Sequence, residues 1–272
     1  MTLFEGRPLA AEIRAAAAEQ AASLSPVLAA VVATDDPGAA WYAGSIARAA
    51  AETGIELCET KLAADDATGV LETLDELSAD SAVHGIICLT PLPRGLSLAD
   101  AGERIAPAKD VDGVSPVSLG RLAAGLTAFA PATAQAVIEL LRHSGTPLEG
   151  ADAVVVGRSI VVGKPLALLL LSENATVTVC HTRTRELEEV TRRAGIVVAA
   201  AGRAHLIGAD HVRPGAVVID VGTNEASDGS MVGDVDTAAV EALASLVTPV
   251  PGGVGPVTTA VLLRNVVTAA AR

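Results

Sequence analysis

Three short segments carry residues whose chemistry suits a phosphate-bearing, flat ligand. The first, Ala153-Val-Val-Val-Gly157-Arg158-Ser159-Ile-Val-Val-Gly163-Lys164-Pro165, reads as a buried strand, a glycine-containing loop and a helix with proline in its first turn. Proline is favoured there because the N–H it lacks would have no helical partner. Free N–H groups at such a helix end, together with the helix dipole, attract phosphate. The glycines are six apart, unlike the GxGxxG fingerprint, and a tight strand-to-helix turn is an alternative reason for both. An ATP-type phosphate loop fails at Gly163-Lys164, because Pro165 stands where a Ser or Thr hydroxyl would bind magnesium. The second segment is Cys180-His181-Thr182-Arg183-Thr184, at the end of the next strand, where a nucleotide-binding unit meets the adenine ribose. An acidic residue there would favour a free 2′-hydroxyl. Arg158, Thr182 and Arg183 favour a 2′-phosphate and hence NADP, with an ordinary exposed loop as the alternative for Arg183. The third is Pro251-Gly252-Gly253, where successive glycines let the backbone turn sharply and approach a flat ligand, a plain loop being the alternative.

The elements that must position these residues alternate along the whole chain. Apolar runs at Val27–Val32, Gly85–Leu89, Ala153–Val156, Thr176–Cys180, Ile196–Ala200 and Ala216–Val221 read as strands. Ala-rich stretches at Leu9–Ser23, Ala39–Thr53, Ala134–Ser144 and Pro165–Glu173 read as helices. This is the pattern of βαβ units on a mostly parallel sheet, so the fold class is α/β. A length of 272 residues suits two lobes better than one core. The crossing is placed at Leu126–Pro131, and the Gly/Pro-rich run Thr248–Thr258 ends the second lobe. The helix Thr259–Ala270 is long enough to return to the first. The expected domains are residues 1–125 plus 257–272, and a Rossmann-like unit over residues 126–256.

Half of the residues are hydrophobic but only 1% are aromatic, so the core must be built from Ala, Val, Leu and Ile. The formal charge of −13 argues against general affinity for nucleic acid or anionic membrane, which needs clustered Lys and Arg. Glu5 and Arg14 flank too short an apolar stretch for a signal peptide, and no later run is long enough to span a membrane, which predicts a cytoplasmic protein. Cys58, Cys88 and Cys180 form no CxxC pair and the histidines no ligand spacing, so neither a disulfide framework nor a metal site is expected.

Taken in order, several motifs resemble the methylenetetrahydrofolate dehydrogenase/cyclohydrolase family. They are Val155 to Pro165, Cys180 to Thr184, Val218-Ile-Asp-Val-Gly-Thr-Asn224, Gly233-Asp-Val-Asp236 and Thr248 to Pro256. Lys109-Asp-Val-Asp-Gly113 and Pro91-Leu-Pro93 extend the match into the first lobe, so it covers nearly the whole chain. The resemblance implies two α/β lobes flanking a cleft, in a homodimer. It implies oxidation of 5,10-methylenetetrahydrofolate with NADP or NAD, followed by hydrolysis of the methenyl product, within one-carbon metabolism. By the same resemblance Gly157, Arg158, Ser159, Gly163, Pro165, Thr182, Arg183 and Thr223 line the cofactor site, and Asp112 binds the pterin end of folate beside Tyr42. Pro251, Gly252 and Gly253 form part of the folate pocket wall.

The chain departs from the family pattern at three places. The family's Tyr-Val-x-x-Lys is here Tyr42-Ala-Gly-Ser-Ile46, so Ile46 stands at the lysine position. The family's Val-Gln-Leu before Pro-Leu-Pro is here Cys88-Leu89-Thr90, so Leu89 stands at the glutamine position. Ala132-Thr-Ala134-Gln-Ala136 replaces the common Cys-Thr-Pro-x-Gly. In the family the lysine, in one polar network with the glutamine, assists attack of water on the methenyl carbon. An alkyl group neither polarises nor exchanges a proton, and loss of both partners leaves no unpaired buried group. The expectation is NADP-dependent dehydrogenation with weak or absent cyclohydrolase activity. The alternatives are an oxidoreductase of the same fold acting on another iminium or amine, and a non-catalytic NADP-binding protein.

Overall fold

The computed structural model describes residues 2–272. They divide into two compact units: one holds the chain up to Ala10 with Thr133–Thr258, the other Ala11–Ala132 with Thr259–Arg272. The first elements are β1 (Thr2–Leu3), α1 (Arg7–Ala21), β2 (Val27–Val32), α2 (Pro37–Thr53), β3 (Glu56–Lys61), α3 (Ala67–Ala79), β4 (Gly85–Cys88), α4 (Leu98–Arg104) and α5 (Pro116–Ala123). Next come α6 (Ala132–His143), β5 (Asp152–Val156), α7 (Gly163–Ser172), β6 (Thr176–Cys180), α8 (Leu187–Thr191), β7 (Ile196–Ala199) and β8 (Val217–Asp220). The chain ends with a short hairpin of β9 (Asn224–Glu225) and β10 (Met231–Val232), then α9 (Thr237–Val240), β11 (Leu246–Val247) and α10 (Val254–Ala270).

In the unit built on Ala11–Ala132, a parallel sheet runs in the order β3-β2-β4. Leu28 to Val32 and Gly85 to Cys88 are buried on both faces, the situation that makes parallel strands read as continuous apolar runs. The edge strand β3, Glu-Leu-Cys-Glu-Thr-Lys, is mostly exposed and carries no such signature, and neither it nor α3 is among the elements expected from the sequence. α2 starts two residues earlier than expected. Pro37 occupies its first turn, and the Asp36 carboxylate caps it by accepting from Ala39 N–H at 2.8 Å. α10 belongs to this unit from Thr259 onward: Asn265 Nδ2 donates to Val111 O at 2.8 Å, and Val266 lies against Gly85.

The other unit carries a six-stranded parallel sheet in the order β1-β11-β8-β7-β5-β6. Its core is aliphatic, with Val154, Val156, Val197, Val218 and Val247 packed together with Ile207, Val235 and Val240. Three boundaries differ from the sequence expectation, the smallest being the end of this unit, which runs to Thr258 instead of residue 256. The N-terminal residues join this unit, because β1 pairs with β11 and Gly6 N–H donates to Gly252 O at 2.9 Å. The crossing falls after Ala132 instead of near residue 125. The intervening segment is tied to the unit built on Ala11–Ala132, since Arg272 covers the Phe129 ring at 4.5 Å and Ala132 N–H donates to Asp112. Among the described residues no helix is long and apolar enough to cross a membrane, and no cluster of three or more His, Cys, Asp or Glu has metal-binding geometry.

The Asp36 cap holds the first turn of the helix that carries Tyr42. Asp36→Ala removes an acceptor for an otherwise unpaired N–H and is expected to cost about 1 kcal/mol. Urea denaturation measures it, and an unchanged midpoint would show that the cap contributes nothing.

Candidate active site

In the unit built on Ala11–Ala132, a loop between α4 and α5 is built around a buried carboxylate. Asp110, fully buried, accepts from Val114 N–H at 2.9 Å, from Ser115 N–H at 3.0 Å and from the Ser118 hydroxyl. Lys109 anchors the near end, its ammonium donating to the carbonyls of Leu77 and Asp80. Asn265 holds Val111 from α10. Between these fixed points Asp112 presents a half-buried side chain. Burial, then the neighbouring charge of Asp110, pushes the Asp112 carboxyl up to about 7, against the lowering effect of the Ala132 N–H. Tyr42 on α2 is half-buried and feels Asp112: burial first, then the Asp112 charge, raises its phenol above the usual value. The structure therefore brings Tyr42 and Asp112 into one neighbourhood. Ile46, one turn further along α2, is 1% exposed, and Leu89, whose N–H continues the sheet ladder to Val31 O, is 3% exposed. Both alkyl side chains belong to the core. Arg48 is exposed.

In the other unit the strand ends converge on a turn. Gly157 has φ 144°, and a Cβ there would lie 2.1 Å from Ala200 O, while one on Gly163 would lie 2.1 Å from Gly157 O. Glycine at both positions lets the start of α7 press onto the ends of β5 and β7. The expectation of free N–H groups at the start of α7 is corrected. Val162 and Gly163 N–H donate to Ser159 Oγ at 3.1 and 3.4 Å, Lys164 N–H donates to Ser159 O at 3.0 Å, and Pro165 has none to offer. Ser159 thus caps the helix internally. Pro165 lies in the first turn, but the helix opens at Gly163.

Arg158 and Ser159 are exposed at the turn, and Thr182 and Arg183 at the end of β6. Gly157 N–H donates to Cys180 O at 2.9 Å, which keeps these two strand ends adjacent. Thr184 Oγ1 and His181 Nδ1 accept from His181 and Arg183 N–H at 2.9 and 3.1 Å, closing the turn that displays Thr182 and Arg183. Thr223 is exposed beyond β8. Pro251-Gly252-Gly253 lies in this unit, apart from Tyr42 and Asp112 in the division of the chain. Its glycines have an internal reason of their own: Gly252 has φ 109°, and a Cβ on Gly253 would lie 2.6 Å from Pro249 O.

Two residue ranges match family models: residues 4–112 match the tetrahydrofolate dehydrogenase/cyclohydrolase catalytic domain, and residues 131–272 its NAD(P)-binding domain. The chain belongs to the tetrahydrofolate dehydrogenase/cyclohydrolase family. A relative from Parafrankia sp. (strain EAN1pec), named bifunctional protein FolD, is 55% identical over 99% of both chains. A crystal structure of the bifunctional methylenetetrahydrofolate dehydrogenase/cyclohydrolase from Campylobacter jejuni is 39% identical, with a TM-score of 0.95 over 100% of this chain and 99% of that one. The Trypanosoma brucei enzyme, solved with NADP and an inhibitor, is 35% identical, with a TM-score of 0.94 over 100% of this chain and 97% of that one. The two-domain α/β fold with a Rossmann-like unit is therefore that of the family.

Sequence reasoning missed three carboxylates. Besides Asp110, these are Asp220 and Asp234, 2% and 0% exposed. Asp220 accepts from Gly222 and Asp234 N–H at 2.9 Å each and from Val235 N–H at 3.0 Å. Burial pushes it up to about 6 against those three bonds. The available signal was an acid closing the apolar strand Val-Val-Ile-Asp220, where a charge is costly unless it is paired.

The raised Asp112 value has a defined pH consequence. The folded chain keeps a proton to about 7 that the unfolded chain releases near ~4. The stabilisation is complete below the unfolded value and is lost as pH rises through the folded one. Denaturation of the wild type and Asp112→Asn across this range should show the wild type losing stability relative to the variant as pH rises. Parallel profiles would contradict the assignment.

Proposed function

We propose that this chain oxidises 5,10-methylenetetrahydrofolate to 5,10-methenyltetrahydrofolate with NADP, and that hydrolysis of the methenyl product is weak or absent. One contrast carries the reading: Tyr42 and Asp112 are neighbours at a half-buried surface, whereas Ile46 and Leu89 are sealed alkyl groups at 1% and 3% exposure. The Parafrankia relative is named bifunctional and the Campylobacter jejuni enzyme's name states both activities, and these two positions are where the reading for this chain parts from those names.

In this reading Asp112 holds the pterin end of folate. With a carboxyl poised at about 7 it exists near neutral pH in both a donating and an accepting form. Tyr42, its phenol raised by burial, stays protonated beside it and donates. The exposed Arg158, Ser159, Thr182 and Arg183, with Thr223, receive the cofactor on the tight turn that Gly157, Gly163 and Pro165 make possible. The arginines and threonine meet its 2′-phosphate. Pro251, Gly252 and Gly253 supply the wall of the folate pocket. NADP, when bound, supplies the hydride acceptor at C4 of its nicotinamide. The lone pair of the folate nitrogen drives the oxidation, so positioning by the protein carries the step and no protein base is needed. Hydrolysis needs a proton acceptor for water, and two buried alkyl groups provide none. A homodimer and a cytoplasmic setting belong to the same reading and rest on the family resemblance.

Separate assays test it. NADP reduction with methylenetetrahydrofolate is expected, with methenyltetrahydrofolate hydrolysis no faster than its spontaneous rate. Rapid hydrolysis would reject the split, and NADP binding without folate binding would favour another iminium or amine substrate.

The paired departure generates a further expectation. Ile46→Lys alone places an ammonium among alkyl groups and should destabilise the fold. Adding Leu89→Gln supplies a hydrogen-bond partner, so the double variant should lose less than the sum, with a coupling of about 0.5–3 kcal/mol, and gain some cyclohydrolase activity. Additive losses with no hydrolysis would show that the two side chains do not face one site.

A further inference from the structure

The geometry points to Asp234 as a positioning residue for the dinucleotide site: it sets NADP affinity by holding the two loops that flank the site, without touching the cofactor. This rests on the functional reading above. The sheet order β8-β7-β5-β6 means that the chain leaves β5 to one side for β6 and returns on the other as β7. In parallel sheets, ligands bind beyond the C-terminal ends of the strands where the order reverses. On one side of that point is the Gly157 turn. On the other is the loop after β7, whose Ala200 carbonyl is the atom that a Cβ on Gly157 would strike.

Asp234 comes from a distant part of the chain and fixes that loop. Its Oδ2 accepts from Ala201 and Gly202 N–H at 2.6 and 2.9 Å, and its Oδ1 accepts from Arg203 N–H at 2.8 Å. Three successive N–H groups aimed at one anion form the kind of backbone nest that binds phosphate elsewhere. Here the protein's own carboxylate fills it, so the nest serves to shape the loop. The same Oδ1 accepts from Asn224 Nδ2 at 2.9 Å, next to Thr223 in the loop after β8. Asp220 completes the brace by accepting from the N–H groups of Gly222 and Asp234. One fully buried carboxylate therefore joins the segment packed on the Gly157 turn to the segment carrying Thr223.

Asp234→Asn keeps the size but turns one oxygen into a donor facing N–H groups, whichever way the amide lies. Val212→Ala serves as control. Val212 is a core residue of the same unit, placed before the N-terminal end of β8 and so at the opposite edge of the sheet from the loops. Calorimetric titration with NADP, at a temperature where both variants are folded, should show Asp234→Asn binding on the order of tenfold more weakly, with KM for NADP rising and KM for the folate unchanged. Val212→Ala should bind as the wild type does even if its melting temperature falls as far. Equal NADP affinity in Asp234→Asn and wild type, or equal weakening in the two variants, overturns the proposal. Should Asp234→Asn not fold, Asn224→Ala decides: it keeps the backbone bonds and should weaken NADP binding severalfold, and unchanged affinity overturns the proposal. Failure of the unaltered chain to bind NADP would instead overturn the functional reading, and this proposal with it.

Discussion

The loops beyond the strand ends have N–H groups with no ladder to join, and buried carboxylates answer them. A carboxylate in a protein interior is costly unless it is met by donors, and a loop N–H in the same place is costly unless it is met by an acceptor. Asp220 and Asp234 solve both problems together in the nucleotide unit, where seven hydrogen bonds connect residues 201–203, 222, 224 and 234–235. Ala200, whose carbonyl lies against Gly157, directly precedes the three residues whose N–H groups Asp234 accepts from. Gly222 and Gly233 belong to the same constraint, since side chains there would strike Asp234 and Asp220.

The substrate unit uses the same device with a different outcome. Asp110 and Asp112 are two residues apart, yet the first is fully buried with three donors and the second half-buried with one. Asp110 shapes the loop. Asp112, left short of donors and beside a second carboxylate, is the one whose proton is held to about 7.

On the functional reading proposed above, Ile46 and Leu89 stand where the family resemblance implies a polar pair, in a chain that still forms the fold. A single loss strands the partner in the interior, whereas replacement of both by alkyl groups leaves nothing unpaired. Their near-complete burial among alkyl groups fits that account. The surrounding elements need no adjustment: α2 keeps its cap and proline start, and β4 keeps its ladder to β2.

By itself the sequence determined the fold class and most of the buried strands. Strands covered on both faces must be continuously apolar, and a cofactor turn must spend glycine and proline at fixed places. It was silent where one face is exposed, as in β3, and where a strand exists only through a distant partner, as with the two-residue pair β1 and β11. It also gave the start of α7 free N–H groups that Ser159 in fact occupies, because a hydroxyl's choice of partner depends on how the turn closes. Most of all, nothing local to Asp234 names residues 201–203 as its partners. A hydrogen bond between groups more than thirty positions apart is a property of the folded chain, so only the tertiary structure decided which acids brace the loops after β7 and β8.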